Sequence, residues 1–181
     1  MTRALALSFA VSLLSLPAAS QEAAKPTPVP VVINTAEAPG LKAFFLNVPW
    51  GPATFATMER PGDSFYNKRT WPFARLESSG GFTLDGTKVP AGNYALVFHP
   101  NTPDDAGMSL ELRKIEVAEF LQPGNAMTPT PEGTTVLKQP VRFDLASATA
   151  PSLKLEFAPD KDGTRLRVHY GDKLLVKDLK R

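Results

Sequence analysis

Apolar and polar residues alternate with a period of two along much of this chain, most clearly in its last third. Val141, Phe143 and Leu145 are separated by Arg142 and Asp144, Leu153, Leu155 and Phe157 by Lys154 and Glu156, and Leu166, Val168 and Tyr170 by Arg167 and His169. Each run reads as a strand that buries one face and wets the other. Pro159-Asp160-Lys161-Asp162-Gly163 and Gly171-Asp172 read as the turns of a meander whose last strand spans Leu174 to Leu179. In mid-chain, Asp85 to Phe98 reads as turn, strand, turn, strand. Asp85-Gly86 suits a tight hairpin, Pro90-Ala91-Gly92 makes a second reversal, and Tyr94, Leu96 and Phe98 form an inward row.

The remaining pattern is less regular. Val31 to Ile33, Leu41 to Val48 and Thr54 to Met58 read as short strands, and so do Phe73 to Glu77, Phe82 to Leu84 and Ser109 to Arg113, the last with Leu110 and Leu112 inward. Glu59 to Thr70, Asn101 to Gly107 and Gln122 to Gly133 read as loops. Ile115, Ala118 and Leu121 fit one helical face before Pro123-Gly124, which allows a helical turn or two. About ten short strands with at most one short helix predict an all-β fold, an antiparallel β-sandwich or a partly open barrel.

The first twenty residues change the picture. Arg3, an apolar run from Ala4 to Leu16 and the small residues Ala18 and Ser20 have the layout of a secretory signal peptide cleaved after Ser20. The run is shorter than the roughly 20 residues of a spanning helix. Residues 21 to 30 are a polar, proline-rich linker, and 31 to 181 are expected to form one domain. The expected destination is the periplasm or the exterior, with no membrane insertion after cleavage. Removing twenty residues from 181 leaves 161, and removing Arg3 leaves 19 basic against 18 acidic side chains. Interspersed charge of that balance offers no footprint for nucleic acid. The chain has no cysteine, which excludes a disulfide scaffold, a lipid-anchored cysteine, a thiolate metal site and a thiol nucleophile. Its 18 prolines in 181 residues are about twice the usual ~5% and are scattered, as many loops require.

Val89-Pro90-Ala91-Gly92-Asn93-Tyr94-Ala95-Leu96 after the Asp85-Gly86 turn resembles the signature of an exported bacterial family of unknown function, family 2911 (DUF2911). Met58-Glu59-Arg60-Pro61 resembles that family's Tyr-Ser-Arg-Pro element, and Trp71 sits where its tryptophan motif would fall. The chain departs from the family at Gly62-Asp63-Ser64 and Pro72-Phe73-Ala74-Arg75. The resemblance spans roughly residues 50 to 178, allowing for boundary errors of a few residues. It implies an exported β-rich fold and no established activity.

The chemistry is sparse. His99 and His169 lack the spacing of a metal site or a catalytic triad and read as capping or solvated histidines. Asp160-x-Asp162-Gly163 has the kernel of a calcium loop without its remaining ligands, and a hairpin turn accounts for it. No metal and no cofactor is expected, and no catalytic residue stands out. The one constellation worth singling out is Phe65 to Trp71 with Arg75. Aromatic faces and guanidinium groups there could hold a sugar or a polar ligand, although aromatics covering a sheet edge would look the same. The candidate ligand-binding residues are Tyr66, Arg69, Trp71, Arg75 and His99. The first expectation is therefore a non-catalytic module that binds a small molecule, a glycan or an envelope protein. A hydrolase assembled around His99 and a structural envelope protein are the alternatives.

Overall fold

The computed structural model describes residues 32–52, 70–100, 108–116, 121 and 131–181. Ten strands form two antiparallel sheets: β1 (Ile33–Ala38), β2 (Leu41–Leu46), β3 (Trp71–Ser78), β4 (Phe82–Leu84), β5 (Thr87–Val89), β6 (Gly92–Pro100), β7 (Met108–Lys114), β8 (Thr134–Val141), β9 (Asp144–Asp160) and β10 (Gly163–Lys180). The larger sheet has the order β1-β2-β3-β6-β7-β8 and the smaller β5-β4-β10-β9. The all-β sandwich expected from the alternation is therefore the observed architecture. It is not closed into a barrel.

Inward rows from both sheets make one core. Leu76, Tyr94, Leu96, Phe98, Leu110 and Leu112 from the larger sheet meet Phe82, Leu84, Leu153, Leu155, Leu166 and Val168 from the smaller. Burying each such side chain contributes roughly 1.5–3 kcal/mol before conformational entropy is subtracted. Phe73 and Phe98 stack at 4.2 Å, and Trp71 packs at 5.3 Å from Tyr170 across the core.

The Asp85-Gly86 turn behaves as its residues require. Both have positive φ, 46° and 84°, as a two-residue hairpin with the twist of its strands demands. Asp85 also anchors the hairpin: its carboxylate accepts hydrogen bonds from the Asp178 N–H, Lys177 Nζ and Gln139 Nε2. The last of these bonds links the edges of the two sheets. Tyr94, fully buried, donates its hydroxyl to the Pro90 carbonyl at 2.6 Å and so fastens the second turn to the core.

Three expectations about elements are revised. Gly171-Asp172 does not end a strand, because β10 continues through it with register shifts on either side of Gly171, whose φ is +63°. A bulge there replaces a turn. The strand read over 141–145 is split: β8 ends at Val141, β9 starts at Asp144, and Leu145 is 76% exposed. A further strand, Thr134 to Val141, occupies part of what carried no periodic signal. The strand read at 54–58 lies outside the described residues, as do the loops at 59–69, 101–107 and 122–130 and most of the helical turn read at 115–121.

Candidate functional site

The centre of the larger sheet, along β6 and β7, is buried on both faces. Ala95 and Val97, which point away from the inter-sheet core, are as inaccessible as Leu96 between them, and they pack with Ile115 and Leu121. Polar residues from β6, β7 and β8 lie on this same outer face. Cross-strand register places Val97 opposite Glu111 and Glu111 opposite Lys138, with His99 opposite Ser109 and Arg113 opposite Thr135.

Glu111 is the centre of this cluster and is 1% exposed. Arg113 binds it with a two-pronged fork, Nε to Oε1 at 2.9 Å and Nη2 to Oε2 at 3.2 Å. Thr135 donates its hydroxyl to Oε1 at 2.6 Å, and His99 Nε2 bonds to Oε2. Arg113 is held in turn by the Pro131 carbonyl at 3.1 Å. Burial by itself would raise the Glu111 carboxyl, but the bonds from Arg113, Thr135 and His99 outweigh it and hold the group down at about 2. His99 moves the same way for a different reason. Burial lowers it, aided by the Lys138 and Arg113 cations and opposed by Glu111. The neutral imidazole facing an ionised carboxylate carries its proton on Nε2, which leaves Nδ1 as an acceptor. Among the described residues Nδ1 has no hydrogen-bond partner.

Both depressed values predict acid lability. An unfolded His99 takes up a proton below about 6.5 and an unfolded Glu111 below about 4.5. The folded state resists both protonations, so the stability these groups confer is complete above those values and is lost as pH falls. Unfolding free energy should therefore be level above pH 7 and decline below 6.5. It should then drop by a further amount of order 3 kcal/mol between pH 4.5 and 2. Urea titrations across this range measure it, and a flat profile between pH 7 and 3 would contradict the assigned network.

The candidate ligand-binding residues are not gathered into one place. Tyr66 and Arg69 lie outside the described residues. Trp71 faces the inter-sheet core, in contact with Phe73, Phe98 and Tyr170. Arg75 lies on the opposite face of β3, 5% exposed, with its guanidinium 4.1 Å from the Phe44 ring centroid and 3.2 Å from Glu77. His99 shares that outer face but bonds to Glu111. The other histidine, His169, is on the smaller sheet and contacts the Ala148 carbonyl at 3.0 Å. In the Asp-x-Asp-Gly turn, Asp160 pairs with Arg165 at 3.1 Å, and no cluster of three or more metal-ligating side chains occurs among the described residues.

No family model, curated protein or solved structure matches this chain. The geometry alone therefore bears on function. It brings forward Glu111, Arg113 and Thr135, which the sequence reading did not single out. Their signal was present in part, since the inward setting of Leu110 and Leu112 implies that Glu111 and Arg113 point outward together. The geometry also shows a second feature, a groove of about 490 Å³ bordered by Phe82, Val89, Pro90, Lys88, Lys180 and Arg181.

Proposed function

We propose that this chain is an exported, non-catalytic β-sandwich module that binds a ligand or partner. The observation that supports it most is the saturation of Glu111. Both of its oxygens are occupied by donors from His99, Arg113 and Thr135, and the group stays ionised far below neutral pH. A general acid must hold a proton at working pH, and a general base must have a lone pair free to take one. Glu111 meets neither condition. Its cluster reads as a clasp that ties β6, β7 and β8 together, while the groove beside β4 and β5 leaves cationic groups open to solvent.

A hydrolase remains the second reading, and one observation favours it. His99 is neutral with Nδ1 unengaged among the described residues, and Ser109 is its cross-strand neighbour. One experiment separates the two readings. The mature chain is screened against glycans, metabolites and amphiphiles by thermal shift, and in parallel against ester and glycoside substrates for turnover. The binding module predicts a saturable thermal shift without turnover. Turnover abolished by His99→Ala in a folded variant would overturn that reading in favour of the hydrolase.

A further inference from the structure

We infer that the free edge of β1 is a self-recognition surface, on which a second copy of this chain adds its own β1, antiparallel, about a two-fold axis at Thr35. The two sheets end in four edge strands, β1 and β8 in the larger and β5 and β9 in the smaller. An open edge templates the pairing of another chain, and three of these edges carry the features that prevent it. β8 has Lys138, Pro140 and a register shift that skips Val136. β5 is three residues long and runs into Pro90. β9 contains Pro151 and Pro159, and bonds from the Trp50 and Leu153 N–H groups lay residues 48–50 along part of it. By contrast, β1 has no proline, no lysine and no bulge, and its six residues pair with β2 in one unbroken register.

The ladder determines which backbone groups are left over. The Val32 carbonyl accepts the Asn47 N–H at 3.2 Å, so the pairs Asn34–Phe45, Ala36–Ala43 and Ala38–Leu41 are those that exchange the β1–β2 hydrogen bonds. The N–H and C=O groups of Ile33, Thr35 and Glu37 therefore point away from β2. Among the described residues nothing bonds to them, and the Thr35 and Glu37 side chains are exposed.

A second β1 fits these groups because the strand complements itself when reversed. With the axis at Thr35, that residue faces its own counterpart, Ile33 faces Glu37 and Val32 faces Ala38, so the strand overlaps over its full length. The three outward residues then make three pairs of two bonds each, about six hydrogen bonds across the seam. Val32, 47% exposed, gains cover from Ala38 of the second copy. Charge does not oppose the contact. Glu37 is the only ionisable residue of β1, Lys42 Nζ lies 2.8 Å from its carboxylate, and the two Glu37 positions fall about 14 Å apart along the paired strands. The segment before β1 does not suit the same edge, since Pro26, Pro28 and Pro30 lack the N–H that a ladder needs.

A seam of this size gives a weak dimer, with a dissociation constant on the order of 10–100 µM. Sedimentation equilibrium of the mature chain between about 5 and 500 µM should therefore show a monomer–dimer equilibrium. Thr35→Pro removes an N–H that β2 does not use, so it should leave the melting temperature close to wild type and weaken association at least about tenfold. Thr35→Lys and Thr35→Glu should each be monomeric alone and associate when mixed, because residue 35 faces itself across the axis. Thr35→Cys, in a chain without cysteine, should give a cross-linked dimer on mild oxidation, and Glu37→Cys should not. A chain that stays monomeric throughout the range, a dimer that Thr35→Pro leaves intact, or cross-linking through Glu37→Cys but not Thr35→Cys overturns the assignment. The inference is independent of the module reading. A monomer with a saturable ligand in the screen above removes the edge pairing alone, and a Thr35-dependent dimer inert toward every ligand upholds it.

Discussion

Glu111→Ala is expected to destabilise the fold by about 3–5 kcal/mol at pH 7.5. The residue is 1% exposed, and its removal leaves the Arg113 guanidinium, the Thr135 hydroxyl and His99 Nε2 without the acceptor they share. Most of the loss comes from these stranded donors and not from the ion pair, since desolvation offsets much of the attraction within a buried pair. Two consequences distinguish this account from a simple packing defect. Arg113 keeps its bond to the Pro131 carbonyl, so Glu111→Ala, Arg113→Ala together should cost clearly less than the sum of the two single changes. The deficit should also shrink as pH approaches 2, where the wild-type carboxyl takes up its proton. Urea unfolding followed by tryptophan emission measures both. A loss below about 1 kcal/mol, the range of solvated surface pairs, would show that the cluster is not buried in solution.

The same cluster marks where the sequence stops being informative. Period-two alternation identifies which residues of a strand share a face, and it placed Tyr94, Leu96 and Phe98 in the core correctly. It does not reveal whether the other face meets water. Ala95, Val97 and Glu111 lie on a second buried face, which depends on contacts far apart in the chain. Strand β8 was missed for a related reason: Thr134, Thr135, Lys138 and Pro140 are exposed, and Leu137 and Val141 are too few to produce a periodic signal.

Trp71 and Arg75 show a different limit. Four residues apart, they would share a face in a regular strand. The register shifts between Pro72 and Ala74, so that Trp71 pairs with inward Phe98 while Arg75 pairs with outward Ala95. One extra residue in β3 sends the tryptophan into the core and the arginine to the opposite side. Nothing in Trp-Pro-Phe-Ala-Arg marks the bulge beyond Pro72, which cannot donate to a ladder. The groove was harder still to foresee, because Lys88 and Lys180 are 92 positions apart and only the pairing of both with Thr83 brings them into one row.

Long-range pairing also explains why one glycine in β10 should matter more than its composition suggests. Gly171→Ala is expected to cost about 3 kcal/mol or more. Gly171 has φ +63°, where an L side chain is strained. A Cβ at this position would also fall inside van der Waals contact of three carbons of the Trp50 ring. Trp50 cannot yield cheaply. Its ring meets Tyr170 edge-on at 4.7 Å, and the Tyr170 hydroxyl donates to the Pro49 carbonyl at 2.8 Å while accepting the Gly51 N–H at 3.1 Å. Trp50 N–H in turn bonds the Pro151 carbonyl, and Leu153 N–H bonds Val48, which fastens residues 48–51 to β9. Displacing the ring therefore loosens the seam between the edges of the two sheets. If the ring clash dominates, Gly171→Ala made in a Trp50→Ala background should cost only the backbone strain of about 1 kcal/mol at residue 171, well below its cost in the wild-type chain. Thermal and urea unfolding of the two single variants and the double variant test this, with Trp71 reporting in all of them. Strict additivity of the two changes would show that Gly171 is needed for its backbone conformation and not for the space it leaves to Trp50.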